Sequence, residues 1–233
     1  VGAGGAVLVG EEAEGAVQAE RTQPTGRLVV SAPLGFGRRH VTPLMSTYLK
    51  RYPDVAGDLR LSDRMVNLVE EGIDIAVRIG HLPDSSLVAR TVGDMRRMVV
   101  ASPDYLATHG EPHHPQEITA HRIVHFGALR AAPDGRFVEN GREFRVSCAP
   151  RFTTNSADAA IWHAERGGGL TRVLAYQAFD AIAAGRLRAV LTDYEIAPLP
   201  IHLVYPTSRL LSAKVRTFVN LVLEVCDWHF AGR

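Results

Sequence analysis

Cysteine is scarce in this chain, with only Cys148 and Cys226 among 233 residues. Two cysteines are too few for a disulfide framework, and their spacing matches neither a zinc site nor a redox pair. We therefore interpret both as small hydrophobic residues in a protein of a reducing compartment, the cytoplasm. Long hydrophobic runs are absent too, since no apolar stretch approaches the roughly 18–20 residues that a membrane span needs. The sequence predicts a globular protein with no membrane partner.

A charge excess of either sign is also missing. Lysine and arginine together number 26, and aspartate and glutamate 25, which gives a formal charge of +1 at pH 7. Surfaces that bind polyanions usually carry a stronger basic excess, so this segment is not expected to bind DNA by itself. Hydrophobic residues make up 46% and charged residues 22%, a composition that excludes a disordered tail.

Catalytic, cofactor and metal motifs are not found. The sequence has no G-x-S-x-G elbow, no phosphate-binding P-loop and no H-E-x-x-H zinc motif. His109, His113 and His114 are close in sequence, but Gly110 and Pro112 prevent their presentation on one helix face. We therefore expect no metal, no cofactor and no enzymatic activity.

The first 25 residues differ from the rest in composition. Residues 1–9 are small and apolar but lack the charged start and the A-x-A site of a signal peptide. Residues 11–23 are rich in Ala, Glu and Gln, which predicts the end of a connecting helix that Pro24 and Gly26 terminate. No initiator Met is present, so we expect a fragment or a processed chain.

Strand and helix patterns alternate from Arg27 onwards. Unbroken apolar runs predict buried strands, and apolar residues at helical spacing predict helices between them. Asn140-Gly141 predicts a β-hairpin with a type I′ turn, and Ser102 followed by Pro103 predicts a capped helix start. This order predicts an α/β fold with parallel strands and right-handed crossovers. The predicted strands are at 28–30, 58–61, 73–79, 98–101, 123–126, 152–154, 170–174 and 201–204, and the predicted helices at 41–52, 65–72, 103–106, 156–166, 179–185 and 215–222.

Five strand-to-helix turns carry small or polar residues. In an α/β sheet the carboxyl ends of parallel strands line a crevice, and helix N-termini there favour anions. Each turn alone can be a simple helix cap, whereas the set is compatible with a small-ligand cleft. The turns are Ser31-Ala32-Pro33, Ser62-Asp63-Arg64, Arg78-Ile79-Gly80, Ala101-Ser102 and Asn155-Ser156.

A series of motifs, in order along almost the whole chain, resembles the effector-binding domain of LysR-type transcriptional regulators. The similarity covers about residues 26–225. The fold it implies has two Rossmann-like subdomains with a cleft between them, like a type 2 periplasmic binding protein. The motifs include Tyr52-Pro53, Leu61-Ser62-Asp63-Arg64, Glu71-Gly72-Ile73-Asp74, Val77-Arg78-Ile79-Gly80, Ala101-Ser102-Pro103-Asp104-Tyr105-Leu106 and Gly169-Leu170-Thr171-Arg172-Val173-Leu174.

The resemblance also implies domain boundaries and a binding site. Residues 1–25 would be the end of a linker helix with its connector, residues 26–95 and 200–233 the first subdomain, and residues 96–199 the second. A small metabolite would bind in the cleft. The implied effector-binding residues are Ala32, Pro33, Leu34, Ser62, Asp63, Arg78, Ile79, Ala101, Ser102, Asn155 and Thr171.

One position departs from the family pattern. Many relatives have Ser or Thr where Pro33 stands, so a hydroxyl and an amide donor that could hold a carboxylate are missing. Arg64 or Arg78 could supply the positive charge instead, because a guanidinium grips a carboxylate with two hydrogen bonds. Both arginines could equally form structural salt bridges.

The implied partners are the effector and further copies of the chain. Effector binding would change oligomer geometry, with a homodimer formed through the helices at 41–52 and 157–166 and a tetramer in the full-length protein. DNA would be bound only through an N-terminal winged helix-turn-helix that this sequence lacks. The alternative is a periplasmic solute-binding protein of a transporter, and an enzyme with a hidden acid–base pair is a third reading.

Overall fold

A computed structural model describes residues 23–64, 66–82, 87–127, 135–209 and 212–231. The apolar stretch at 1–9 and nearly all of the predicted connecting helix at 11–23 lie outside the described residues, as does Met65. Strands and helices alternate along the described chain. The strands are β1 (Gly26–Ala32), β2 (Val55–Leu61), β3 (Ile75–Ile79), β4 (Leu87–Met95), β5 (Arg97–Ala101), β6 (Ile123–Phe126), β7 (Gly135–Glu139), β8 (Arg142–Val146), β9 (Pro150–Thr154), β10 (Leu170–Leu174), β11 (Arg188–Val190), β12 (Leu199–Pro206) and β13 (Trp228–His229). The α-helices are α1 (Leu34–Phe36), α2 (Thr42–Arg51), α3 (Pro103–His109), α4 (Ala157–Glu165), α5 (Ala175–Ala183) and α6 (Ala213–Val225).

The described chain divides into two compact units. The first contains residues 23–92 and Ile201–Asp227, and the second contains Gly93–Pro200 and residues 228–231. The boundaries expected from the sequence differ by a few residues and assign the chain end to the first unit. Trp228 pairs with Gly93, which attaches the chain end to a strand residue of the second unit.

The first unit is built on the three parallel strands β2, β1 and β3, in that order. Leu28, Val29 and Val30 of β1 are all buried, as expected for a strand covered on both faces. Strand β12 runs antiparallel to β3, and the complete sheet order is β13-β4-β12-β3-β1-β2. The sheet is therefore mixed, with a parallel centre that the sequence predicts and an antiparallel strand that it does not.

Helices α2 and α6 pack together in the first unit. Tyr48 on α2 is fully buried, and its hydroxyl donates to the Lys214 carbonyl at 2.9 Å. Its ring meets Phe218 on α6 edge to face, with the centroids 5.3 Å apart. Pro43 follows a π-helical turn in which the Thr42 N–H donates to the Gly37 carbonyl, so the helix is widened just before the proline, which has no N–H to donate. A π-helical turn, Gly37–Val41, joins α1 to α2.

The second unit is built on a five-stranded sheet and a hairpin. The sheet order is β11-β5-β10-β6-β9, and β5 runs antiparallel to both β10 and β11. The β7–β8 hairpin turns at Asn140 and Gly141, whose φ angles of 49° and 75° confirm the predicted type I′ turn. Cys148 is buried in the core beneath this hairpin with Phe137 and Leu170, which agrees with its interpretation as a small hydrophobic residue.

The predicted helix at 65–72 is wrong, because Leu68 to Gly72 form a single turn. The side chain of Asn67 accepts hydrogen bonds from the amides of Val69 and Glu70, which satisfies the start of the turn. Gly72 has a φ of +62° and its N–H donates to the Val69 carbonyl, which closes the turn before a second one forms. Strand β4, between the two units in sequence, was not predicted at all.

Candidate functional site

Three predicted turns of the first unit lie at one edge of its sheet. Because β1, β2 and β3 are parallel, their carboxyl ends at Ala32, Leu61 and Ile79 point the same way. Ala32 pairs with Leu61 in the sheet, and the Ser62 amide donates to the Ala32 carbonyl at 3.0 Å. The structure thus places the three turns that we predicted in this unit at one edge of the sheet.

The turn after β1 is tied directly to the turn after β2. Pro33 has an extended backbone and precedes α1, and the next amide, of Leu34, donates to Oδ1 of Asp63 at 2.9 Å. The Leu34 side chain is 50% exposed. Ser62 Oγ accepts from the Arg64 amide at 3.1 Å. Asp63 and Ser62 therefore already hold backbone amides, and they shape this edge of the sheet.

Arg78 is the buried cation of this edge. Its side chain lies on β3 with the residue 9% exposed, and its Nη2 has no hydrogen-bond partner within the described residues. Burial lowers the pKa of the Arg78 guanidinium, and the charge of Glu71 opposes that shift. Arg64, in contrast, is exposed. The sequence offers Arg64 and Arg78 as the residue that could bind an anion. Arg78 is the better candidate, because it is buried and its Nη2 has no hydrogen-bond partner in the described part of the chain.

In the second unit the predicted residues do not share one edge. Thr171 of β10 pairs with Val100 of β5, and the antiparallel direction of β5 places Ala101 and Ser102 beside the start of β10. Asn155 instead follows the end of β9, which is parallel to β6. Ala101 and Ser102 therefore lie at the opposite end of the sheet from Asn155, and the expectation that these turns meet is wrong.

The hydroxyl groups of the two predicted residues Ser102 and Thr171 already form hydrogen bonds with the backbone. Ser102 is buried and caps α3 by accepting from the Tyr105 amide at 3.3 Å, as the sequence predicts. The buried Thr171 hydroxyl donates to the Val124 carbonyl at 3.0 Å. Asn155 is exposed and directly precedes Ser156, which caps α4. Within this unit, Asn155 is the predicted residue best placed to meet a ligand.

A cavity of about 370 Å³ lies in the second unit, and the sequence did not indicate it. It is bounded by one face of the five-stranded sheet and by the hairpin. Arg97, His125 and Arg172, from β5, β6 and β10, line it beside apolar residues. The sequence gives only a local signal, a polar or charged residue within the apolar β6 and β10 and at the first position of β5. The apolar lining includes Val99, Ile118, Ile123, Phe137, Cys148 and Leu170.

Metal ligands do not gather in the described part of the chain, where no group of three or more His, Cys, Asp or Glu side chains could hold a metal ion. Cys148 is buried, and burial raises the pKa of the Cys226 thiol to about 11. Neither cysteine has the reactive environment of a low-pKa thiolate. Among the described residues, no helix is both long and apolar enough to cross a membrane.

Comparison with known proteins identifies the family. The family model described as the LysR substrate binding domain matches residues 21–227. An HTH-type transcriptional repressor of Pseudomonas aeruginosa is 33% identical over 217 residues, which cover 92% of this chain and 68% of the relative. The regulator YhjC of Escherichia coli is 32% identical, with 92% and 72% covered. The chain thus spans about two thirds of the length of these relatives.

Solved structures agree with this fold. Full-length AphB of Vibrio cholerae, a virulence activator, superposes with a TM-score of 0.78 at 26% identity, covering 92% of this chain and 73% of that one. The regulatory domain of CrgA from Neisseria meningitidis gives 0.73 at 28% identity, with 86% and 98% covered. These proteins are transcriptional regulators, and they give no support to a transport protein. The chain belongs to the LysR substrate-binding domain family, with its periplasmic-binding-protein-like type 2 fold, and is the effector-binding domain of a LysR-type transcriptional regulator.

Proposed function

We propose that this domain senses a small anionic metabolite, which contacts Arg78 in the first unit. The observation that carries this proposal is the buried Arg78 guanidinium, whose Nη2 has no partner within the described residues. A buried, incompletely paired charge is unfavourable, and a carboxylate that accepts two hydrogen bonds from it offsets that cost. A site that contains Arg78 should therefore bind an anionic effector more tightly than a neutral compound of the same shape.

The other predicted residues take narrower roles in this proposal. Asp63 and Ser62 hold the turns of the first unit in place, and Ala32, Pro33, Leu34 and Ile79 supply backbone and apolar surface beside Arg78. Ser102 and Thr171 act as structural residues, because their hydroxyls are hydrogen-bonded to the backbone. Ala101 adjoins Ser102 and is not expected to contact the effector.

Regulation would follow from differential affinity. LysR-type regulators act as oligomers that bind small effectors and DNA. Here an effector that binds one arrangement of the chain more tightly would shift the population towards that arrangement and change the oligomer. We propose a homodimer through α2 and α4, a tetramer for the full-length regulator, and DNA binding through the N-terminal part of that regulator. The setting would be the cytoplasm, and the domain itself would not be an enzyme.

A thermal-shift screen tests the proposed effector class. The panel contains mono- and dicarboxylates, aromatic acids, amino acids and the matching neutral amides. A compound present at about 100 times its Kd should raise the melting midpoint by about 5–10 °C. We expect the hits to be carboxylates, with their neutral amides inactive. A panel in which amides and acids shift the midpoint equally would contradict an anionic effector.

Matched variants then test whether the compound found in the screen binds at Arg78. Arg78→Gln should weaken binding about tenfold to a hundredfold, because a charged hydrogen bond is lost, while Arg64→Gln removes an exposed charge and should leave the Kd unchanged. Ser102→Ala should also leave the Kd unchanged, because the Ser102 hydroxyl already caps α3. Equal losses in Arg64→Gln and Arg78→Gln, or no loss in either, would contradict the assignment.

A further inference from the structure

We propose that the second unit holds an additional binding site, the cavity on its sheet face, for an organic carboxylate with an apolar body. The carboxylate would lie between Arg97 and Arg172, and the apolar body would lie under the hairpin. This site uses neither Arg78 nor Asn155 and does not depend on the proposed function. The cavity volume of about 370 Å³ is near the lower end of the roughly 300–1,000 Å³ that is common for small-molecule sites.

The two arginines are neighbours on one face of the sheet. In the antiparallel β5–β10 pair, Arg97 is opposite Leu174 and Val99 is opposite Arg172. Residues opposite each other share a face, as do residues two apart on a strand, so both arginines project to the side that carries Val99 and Leu174. Their diagonal placement, at about 7–8 Å between backbones, suits two guanidiniums that hold one carboxylate from both sides.

Among the residues that the structure describes, carboxylates do not balance the positive charge at this end of the cavity. Arg172 is surrounded by the charges of Arg97 and Arg136, and burial together with these charges lowers the pKa of Arg172 to about 10. Glu195 also acts on Arg172, but it accepts two hydrogen bonds from Arg96, at 2.9 and 3.0 Å. Within the described residues, no carboxylate forms a salt bridge with Arg97 or Arg172. An anion would therefore enter a site that already attracts negative charge.

The Arg172 guanidinium is held in position before any ligand arrives. Its Nη2 donates to the Arg136 carbonyl at 2.8 Å, and its Cζ lies 5.5 Å from the centroid of the Phe137 ring. This leaves other guanidinium N–H groups for an anion, in an orientation that costs little further entropy. Phe137 also lines the cavity, so the same ring supports the arginine and meets the apolar body.

His125 supplies a third polar group. It lies on β6, where Ile123 pairs with Leu170 and Val124 with Thr171, so His125 shares the face of Arg172. Its Nε2 is buried and has no hydrogen-bond partner within the described residues. Buried polar atoms are rarely left unsatisfied in native proteins, and a ligand oxygen would satisfy this one. The pattern of one polar end and apolar walls is that of a site for an amphipathic anion.

Octanoate is a suitable probe, because it combines one carboxylate with a flexible apolar chain. Titration of the chain by calorimetry with octanoate, with neutral octanamide and with inorganic phosphate separates the contributions of charge and apolar surface. We expect octanoate to bind at least about tenfold more tightly than either comparison compound. No binding at up to about 10 mM octanoate, or phosphate binding as tight as octanoate binding, would overturn the proposal.

Variants of the two arginines test whether octanoate binds in this cavity. Arg97→Gln and Arg172→Gln should each weaken octanoate binding about tenfold or more, whereas Arg151→Gln, which removes an exposed charge from the same unit, should not. Having two arginine variants keeps the test valid if one of them melts well below the parent. Octanoate binding that survives both variants overturns the site. If octanoate binding is lost in Arg78→Gln instead, octanoate binds at the proposed effector site. That result also overturns the site in the second unit, but it agrees with the proposed function.

Discussion

The amide of Leu34 donates a hydrogen bond to Oδ1 of Asp63 over 2.9 Å, across 29 positions of sequence. This bond joins the turn that follows β1 to the turn that follows β2. Because β1, β2 and β3 are parallel, their carboxyl ends lie at one edge of the sheet, and Arg78 is near the end of β3. The bond therefore holds together two turns at the edge where Arg78 lies. An acidic residue therefore supports a site that we expect to bind an anion, with its charge directed at a backbone N–H.

Substitution of Asp63 tests this bond. Asp63→Ala should lower the free energy of unfolding by about 0.5–1.5 kcal/mol, since the Leu34 amide loses its acceptor. Asp63→Asn keeps an acceptor oxygen at the same place and should recover most of that loss. Urea unfolding of the parent and both variants provides the measurement. If both variants lower the free energy of unfolding by the same amount, the hydrogen bond to the Leu34 amide does not account for the contribution of Asp63 to stability.

Asp74 should be among the most sensitive polar positions of the first unit. It is 2% exposed, accepts from the Val29 amide at 2.9 Å, and pairs with Lys214 at 2.7 Å and Arg209 at 3.3 Å. Asp74→Ala leaves the buried Val29 amide without its acceptor and removes the counter-charge of Lys214 and Arg209, so it should cost about 2–3 kcal/mol in unfolding free energy. Glu224→Ala removes the exposed ion pair with Arg51 and should change stability little. Equal effects of the two variants in urea unfolding would contradict this assignment.

His40 should make stability depend on pH. Burial, and next the charge of Arg39, lower the pKa of His40 to about 4, from 6.5 in the unfolded chain. The unfolded state therefore binds a proton near pH 6.5 and the folded state only near pH 4, so stability falls as the pH drops through this window. After discounting for the half-exposed ring, the expected loss is about 1–2 kcal/mol.

His40→Gln should remove this part of the pH dependence, and urea unfolding at intervals between pH 7 and pH 4 measures it. Replacement of the exposed His113 by Gln serves as the control and should leave the slope as in the parent. A parent slope that persists in His40→Gln would show that other groups cause the loss.

Trp162 should report on the proposed homodimer. It lies on α4, is 57% exposed, and carries the Arg166 guanidinium 3.6 Å from its ring centroid. An exposed tryptophan on a helix is a common anchor of protein interfaces. Trp162→Glu should convert the dimer to a monomer in sedimentation at tens of micromolar, whereas Leu223→Glu, an equally charged change on α6, should not. A parent that is already monomeric would contradict the pairing.

Local signals in the sequence predicted much of the fold. The Asn140-Gly141 turn and the Ser102 cap depend only on neighbouring residues, and both are confirmed. The wrong helix at 65–72 has a local cause that the apolar spacing concealed, since Asn67 and Gly72 stop it after one turn. The direction of β5 could not be predicted, because a run of apolar residues looks the same in a parallel and an antiparallel strand.

The cavity of the second unit shows what sequence reasoning misses. Arg97, His125 and Arg172 lie on three strands that are far apart in the chain, and only the pairing of β5, β6 and β10 brings them to one face. His125 and Arg172 interrupt apolar strands and Arg97 begins one, a pattern that indicates either a buried polar site or a strand edge. The first unit was easier to predict, because the carboxyl ends of three parallel strands lie at one edge of the sheet even when their exact register is unknown.

Hydrogen exchange with the highest-affinity acid of the thermal-shift panel tests the central claim most directly. If that effector binds at Arg78, it should slow exchange of the amides near residues 32–34, 62–64 and 78–80, which lie at one edge of the first unit's sheet. This protection should vanish in Arg78→Gln at the same ligand concentration and persist in Arg64→Gln. No protection at these residues, or protection that is unchanged in Arg78→Gln, would contradict the account of this domain as a sensor of an anion at Arg78.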